Sequence, residues 1–226
     1  MTKNTKTERL FFSRTLDFLD HYLPEQAKKS DNTVETYRDA LTVFRRYLSE
    51  ILKISIRTFR FEDCTYEILL SYLEYLQGIG NAPSTCNNRL AAIRAYLWYV
   101  ADCNISVQTA ALNASHVPFL RVPRRIRETI SDEDLATLLS APPNTKMGRR
   151  DQMIMILLYD SAVRVSELLS LDVRSVNLDA QIPYVRIHGK GDKERIVAIT
   201  DVTARHLPFV VKFISHHLSK KVFKKC

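Results

Sequence analysis

Residues 151–173 read DQMIMILLYDSAVRVSELLSLDV, and residues 185–200 read VRIHGKGDKERIVAIT. The first run is apolar from Met153 to Leu158, turns through Ser161-Ala162-Val163-Arg164, and resumes as a short amphipathic run with Leu168, Leu169 and Leu171 expected inward. Arg164 therefore stands at a junction of two helices. Glu167, three residues on, shares its helical face and can hold the guanidinium fork in one orientation. A fixed fork of that kind suits a phosphate. In the second run Val185 and Ile187 alternate on one strand, and either Ile196 with Ala198 or Val197 with Ile199 on the next. Gly189-Lys190-Gly191-Asp192 makes the turn between them, a β-hairpin that presents Lys190 at its tip.

Taken singly, an arginine at a helix start is commonly a salt-bridged surface residue, and a lysine in a glycine-flanked turn is ordinary turn chemistry. Read together, LLYDSAVRVSELLSLDV and VRIHGKGDKERIVAI resemble the first active-site box and adjoining hairpin of the tyrosine recombinase (phage integrase) family, of the XerC/XerD kind. The family box ends Thr-Gly-Leu-Arg where this chain has Ser161-Ala162-Val163-Arg164, so a slightly different turn is expected. The resemblance implies that Arg164 contacts the scissile phosphate, that Glu167 supports the site and that Lys190 protonates the leaving 5′ oxygen. It also implies a 3′-phosphotyrosyl intermediate with no metal or nucleotide cofactor. Both basic roles make physical sense: a buried fork stabilises charge on a phosphorane, and a mobile ammonium can donate a proton.

The 226 residues allow one large domain or two modest ones, and 46% hydrophobic with 26% charged residues is ordinary for a folded protein. The net charge of +8 is uneven. Residues 1–117 carry 14 Lys and Arg against 13 Asp and Glu, whereas residues 118–226 carry 19 against 12, so the basic bias belongs to the second part. Cys64, Cys86, Cys103 and Cys226 form no C-x-x-C pair and have no histidine at metal spacing, which suggests reduced thiols and no metal site. No apolar run is long enough to cross a bilayer, and MTKNTKTERL lacks an apolar signal core, so no membrane partner and a cytoplasmic location are expected.

Periodicity predicts a helix over 8–22 with Leu10, Phe11, Leu16, Phe18 and Leu19 near one face, ended by Pro24. It predicts a longer one capped by Asp31 or Asn32. A third covers 62–77, stopped by Gly78 and Gly80, and a fourth starts at Pro83-Ser84-Thr85, with Leu90, Ile93, Leu97 and Val100 inward and Arg89 and Arg94 on other faces. Four helices with short links make a small bundle. In register with the downstream boxes, DNTVETYRDALTVFRRYL and PSTCNNRLAAIRAYLWYV resemble the SAM-like core-binding domain of the same family. The aromatic stripe that includes Trp98 and Tyr99 reads as core rather than as a base-stacking platform.

Between Ala114 and Glu128 the period fails, and SHVPFLRVPRRIRE supplies Arg121, Arg124, Arg125 and Arg127 before its first acid. This basic linker would lie along a phosphate backbone, and Arg89, Arg94, Lys193 and Arg195 are further residues expected at DNA. Ser131 is expected to cap SDEDLATLLSA, with acids in its first turn as the helix dipole favours. The family's His-x-x-Arg box and terminal tyrosine nucleophile find no counterpart: all ten tyrosines lie at or before Tyr184, and His217-Leu218-Ser219-Lys220 is too early and carries lysine for arginine. Tyr184, on the strand entering the hairpin behind Pro183, is expected to pack rather than react.

The expected architecture is therefore mainly α: a SAM-like four-helix domain over 1–117, a basic linker over 118–127, and over 128–226 the first part of an α+β catalytic domain with a small sheet. The expected function is that of a DNA-binding site-specific recombinase or integrase, cut short at its C-terminus and catalytically incomplete. Double-stranded DNA is the expected partner, joined by further copies or a full-length recombinase. The rival readings are a non-catalytic DNA-binding regulator of such a recombinase, and a helical protein-interaction scaffold.

Overall fold

The computed structural model describes residues 9–123, 129–189 and 193–207. The chain divides into two compact units, residues 1–125 and 126–226.

In the first unit α1 comprises three consecutive helical pieces, Phe11–Arg14, Thr15–Asp17 and Phe18–Gln26. Pro24 does not end it but lies in its last turn, where the Ala27 N–H reaches back five residues to the Tyr22 carbonyl at 2.8 Å. That wider turn relieves the clash a proline ring makes with the carbonyl four residues earlier. Leu16, expected on the apolar face, is exposed. α2 runs over Asp31–Arg46 and continues through Tyr47–Ile51, starting after Ser30, one position before the expected cap.

α1 and α2 end alike. Tyr22-Leu23 and Tyr47-Leu48 are each followed five residues later by a lysine at positive φ, Lys28 at 49° and Lys53 at 57°. The next N–H, of Lys29 or Ile54, then bonds the leucine carbonyl at 2.8 Å, so a left-handed residue satisfies end carbonyls that would otherwise lack donors.

α3 (Tyr66–Gly78) starts from Thr65, whose Oγ1 accepts the Ile68 N–H. α4 (Pro83–Cys103) begins on Pro83, whose missing N–H costs nothing at a first position. A fifth helix, α5 (Gln108–His116), adds to the four expected from periodicity. It packs on α4 through Ala110, Ala111 and Ala114, which are buried but too small to mark an apolar stripe in the sequence. Phe11 is central to the core, 5.4 to 5.5 Å from the rings of Phe44, Phe59, Phe61 and Tyr96. The Tyr96 hydroxyl donates to the Phe11 carbonyl, and burial pushes its pKa up to about 12. Trp98 departs from the expected core stripe: it is partly exposed, and its Nε1 donates to Ser115 Oγ at 3.0 Å.

In the second unit Ser131 caps α6 (Asp132–Ser140) as expected, its Oγ accepting the Asp134 N–H at 3.1 Å. Thr145 caps α7 (Lys146–Ser161) in the same way through the Gly148 N–H. Gly148 is a required glycine, because a Cβ there would lie 1.9 Å from the Pro143 carbonyl oxygen. α7 ends at Ala162 and α8 covers Val165–Leu169. β1 (Val176–Asn177), β2 (Tyr184–Gly189) and β3 (Lys193–Ala198) form an antiparallel sheet in that order, with β2 and β3 in register from Tyr184↔Ala198 to Gly189↔Lys193. α9 follows over residues 201–207. Thr200 joins the end of β3 to the end of α7 by donating its N–H to Asp160 Oδ2 at 2.8 Å.

The core of this unit is Met153, Leu157, Val163, Leu168, Val185, Ile187, Ile199 and Leu207. Burying Val185 and Ile187 completely is worth roughly 1.5–3 kcal/mol each. The second of the two alternations left open holds: Ile199 is buried and Val197 packs against the core, while Ile196 is exposed. Leu169, expected inward, is 74% exposed, because α8 is one turn long and buries only its Glu167–Leu168 side. No helix among the described residues is long and apolar enough to cross a membrane.

Candidate phosphate-binding site

Helix α7 delivers Arg164 through a sharp turn. Ala162 adopts φ 48°, ψ 28°, the left-handed conformation that glycine takes most easily. The alanine thus enters the left-handed conformation without glycine's freedom and carries its strain. Val163 is buried beside it, which leaves Arg164 at the start of α8.

Glu167 then organises the site. Its Oε2 accepts the backbone N–H of Arg164 at 2.8 Å and its Oε1 accepts Arg164 Nη1 at 2.9 Å, so one carboxylate both caps the helix and holds the arginine head. The same two oxygens accept the fork of Arg195 from β3, Nη1 to Oε1 at 2.9 Å and Nη2 to Oε2 at 2.7 Å. Glu167 is 6% exposed, and two guanidinium groups face it. The Arg195 hydrogen bonds first, and then that of the Arg164 backbone, hold the pKa of its carboxyl down to about 2. The Arg195 guanidinium is raised in turn by the same bond. Gly189, at the end of β2, leaves room for this pair: a Cβ there would stand 3.2 Å from Arg195 Nη1 and 3.4 Å from Glu167 Oε1.

The arginine fork was expected to be buried. Instead the Arg164 side chain is 72% exposed, while Glu167 holds both its backbone N–H and its Nη1. Two cations against one carboxylate give the trio a net charge of +1, so an anion, above all a planar array of phosphate oxygens, can complete it.

Three of the other residues expected at DNA have partners within the fold. Arg195 holds Glu167. Arg94 donates Nε to the Ala114 carbonyl at 2.8 Å and Nη2 to the Val117 carbonyl, with its guanidinium 4.4 Å over the Phe119 ring, so it fastens the segment after α5 to α4. Desolvation lowers its pKa. Asn87 continues that fastening by exchanging two hydrogen bonds with the Leu120 backbone, at 2.8 and 2.9 Å. Arg89 pairs with Asp39 at 3.2 Å and keeps 18% of its side chain exposed. Arg121 and Lys193 are exposed. Lys190, Arg124, Arg125 and Arg127 lie outside the described residues. Tyr184 is half-buried on β2, and its hydroxyl accepts from Asn177 Nδ2 at 3.1 Å. Tyr159, five residues before Arg164 and exposed on α7, is nearer in sequence to the site than Tyr184, and periodicity alone gave it no mark. Among the described residues no cluster of His, Cys, Asp and Glu could hold a metal ion.

The role of Arg195 could have been read from strand parity. Directly paired residues of an antiparallel ladder share a face, and Arg195 pairs with Ile187, which is fully buried. A charged side chain on the apolar face needs a buried counter-ion, and among the described residues of this unit Glu167 is the buried acid.

Comparison with known proteins gives the same reading for both units. Residues 16–102 match the phage integrase N-terminal SAM-like domain, and residues 128–224 match the phage integrase family. The tyrosine recombinase XerD of Oceanobacillus iheyensis is 29% identical over 195 residues, 86% of this chain and 62% of that protein. The tyrosine recombinase XerC of Natranaerobius thermophilus is 30% identical over 185 residues, covering 81% of this chain and 58% of its own length. A putative integrase/recombinase of Sinorhizobium fredii is 26% identical over 96% of this chain and 79% of its own. The chain thus spans about three fifths of the length of the two Xer relatives. Among solved structures, the Tn1549 transposon integrase in complex with transposon right-end DNA aligns with TM-score 0.62 at 12% identity, over 87% of this chain and 64% of that one. The XerH recombinase bound to its difH substrate aligns with TM-score 0.58 at 19% identity, over 87% and 55%. Both units are matched, in the family's own order, and the chain belongs to the phage integrase family of tyrosine recombinases.

Proposed function

We propose that this chain is the DNA-gripping part of a site-specific recombinase or integrase: it binds double-stranded DNA and places Arg164 on the phosphate to be cut. The observation that carries this reading is Arg164 itself, exposed yet anchored through both its backbone and its head to a buried carboxylate. Its outward N–H groups bond the non-bridging oxygens, and they stabilise best the extra charge that develops as the phosphorus is attacked. Lys190, which follows β2 in the chain, donates a proton to the departing 5′ oxygen. Arg121, Arg124, Arg125 and Arg127 follow the backbone between the two domains, and Lys193 adds a further charge at the start of β3.

The family forms a bond from a tyrosine oxygen to phosphorus, and within these 226 residues no tyrosine follows Tyr184. Cleavage by these 226 residues alone is therefore not expected, and action on DNA beside further copies or a full-length recombinase in the cytoplasm fits this reading. The sequence after Tyr184 equally favours a non-catalytic reading, in which the chain occupies recombination-site DNA and regulates the complete enzyme.

Two assays test this. Duplex binding, followed by fluorescence anisotropy across a salt series, is expected to weaken steeply with salt. Replacing the four linker arginines with alanine flattens log K against log salt by up to about 0.9 for each phosphate no longer neutralised. No binding at any salt would leave the protein-interaction scaffold as the better reading. On a nicked suicide duplex, a denaturing gel is expected to show no covalent adduct with these 226 residues alone, and an adduct would overturn that expectation.

A further inference from the structure

We propose that Arg195 is a positioning residue that keeps Arg164 free for a phosphate, by taking up the Glu167 carboxylate that would otherwise neutralise it. This rests on the reading that Arg164 meets DNA phosphate.

A carboxylate can accept about four hydrogen bonds. Glu167 accepts four: two from Arg195, one from the Arg164 backbone and one from Arg164 Nη1. The carboxylate is therefore saturated, and Arg164 is held by one of its five side-chain N–H groups. Without Arg195 two acceptor positions open beside an arginine only three residues away. The Arg164 fork would close on them as a bidentate pair, because charge-assisted bidentate pairing is the strongest arrangement open to both groups. The pair would then be neutral, with its best donors turned inward.

Arg195 prevents this by occupying the carboxylate from a fixed direction. It projects from the same face of β3 as the core residues, opposite Ile187. It reaches Glu167 through the space that Gly189 leaves open. The trio then keeps its net +1 charge and an exposed, oriented fork.

The test is a set of variants in the same salt-series binding assay on duplex DNA, with circular dichroism melting as a check on folding. Arg164→Ala is expected to lower the salt slope by about 0.9, the value of one neutralised phosphate. Arg195→Ala lowers it by the same amount, and the double variant by no more than Arg164→Ala alone. Arg195→Lys, which keeps the charge without the fork, behaves like Arg195→Ala. The deciding variant is Glu167→Gln with Arg195→Ala: with no carboxylate left to neutralise Arg164, the slope returns to the wild-type value even where the melting temperature stays low. A role in folding alone predicts no such rescue.

If Arg195 touches phosphate itself, the Arg164/Arg195 double variant loses about 1.8 in slope and the rescue fails. That result overturns the proposal. A silent Arg195→Ala beside an effective Arg164→Ala also overturns it and leaves the reading of Arg164 standing. A silent Arg164→Ala overturns both.

Discussion

Replacing Ala162 with glycine is expected to stabilise the second unit. Ala162 sits at φ 48°, ψ 28°, where the Cβ of an L-residue crowds the following carbonyl at a cost of roughly 1–2 kcal/mol. Glycine removes that cost but loses about 0.4–1 kcal/mol more backbone entropy on folding. The methyl group is exposed, so little buried area is given up. The balance is a gain of about 0.5–1 kcal/mol, which for a unit of this size raises the melting temperature by roughly 3–6 °C. Urea titration followed by circular dichroism measures it. The protein's only tryptophan, Trp98, lies in the first unit, so its fluorescence reports that unit separately. Ala162→Gly should shift the dichroism midpoint upward, and Ala162→Val, which brings a branched Cβ into the same conformation, should shift it downward. An unchanged or lower midpoint for the glycine variant would refute the strained-turn argument.

Three further outcomes are expected. The pKa of the Glu167 carboxyl is held near 2, below its unfolded value of about 4.3, so its contribution to stability is complete above the unfolded pKa and fades as pH falls towards 2. The urea midpoint of wild type should therefore exceed that of Glu167→Gln by a margin that shrinks from pH 5 to pH 2, and a margin independent of pH would contradict the ionised assignment. Gly148→Ala should cost about 1–3 kcal/mol or more, because the Pro143 backbone must move, whereas Gly78→Ala, with nothing within 4 Å of the new Cβ, should be neutral or stabilising by up to about 1 kcal/mol; equal urea midpoints for the two variants would contradict the close approach at Gly148. Arg94→Ala takes the side-chain donor from the Val117 carbonyl and leaves the Ala114 carbonyl only the Val117 N–H, and should cost about 1–3 kcal/mol; hydrogen exchange should show faster opening in α5, and unchanged protection there would count against the fastening role.

Sequence was informative where one element's own pattern settles the matter. The run from Met153 to Leu158 marked α7, Ser131 marked a helix start, Pro83 marked another, and the Arg164-x-x-Glu167 spacing alone put both side chains on one helical face. These features depend on neighbours within a turn or two of chain, which the sequence contains. It failed where a signal is weak or where two local rules compete. α5 was missed because its buried face is alanine, and α1 passed Pro24 because a wide last turn tolerates the ring.

The site divides along the same line. The sequence by itself determined the junction that carries Arg164, the acid able to hold it, the hairpin and the family likeness. Which groups Glu167 serves was decided only by tertiary structure, because Arg195 lies 28 residues further along and meets Glu167 through strand register and the space beside Gly189. Tertiary structure likewise gave Arg94 its backbone acceptors, since the carbonyls of Ala114 and Val117 come within its reach only when α5 folds against α4. A charged side chain read from sequence has a sign but no partner, and the partner, brought close by the packing of distant segments, determines whether the charge is spent inside the fold or remains free for a ligand.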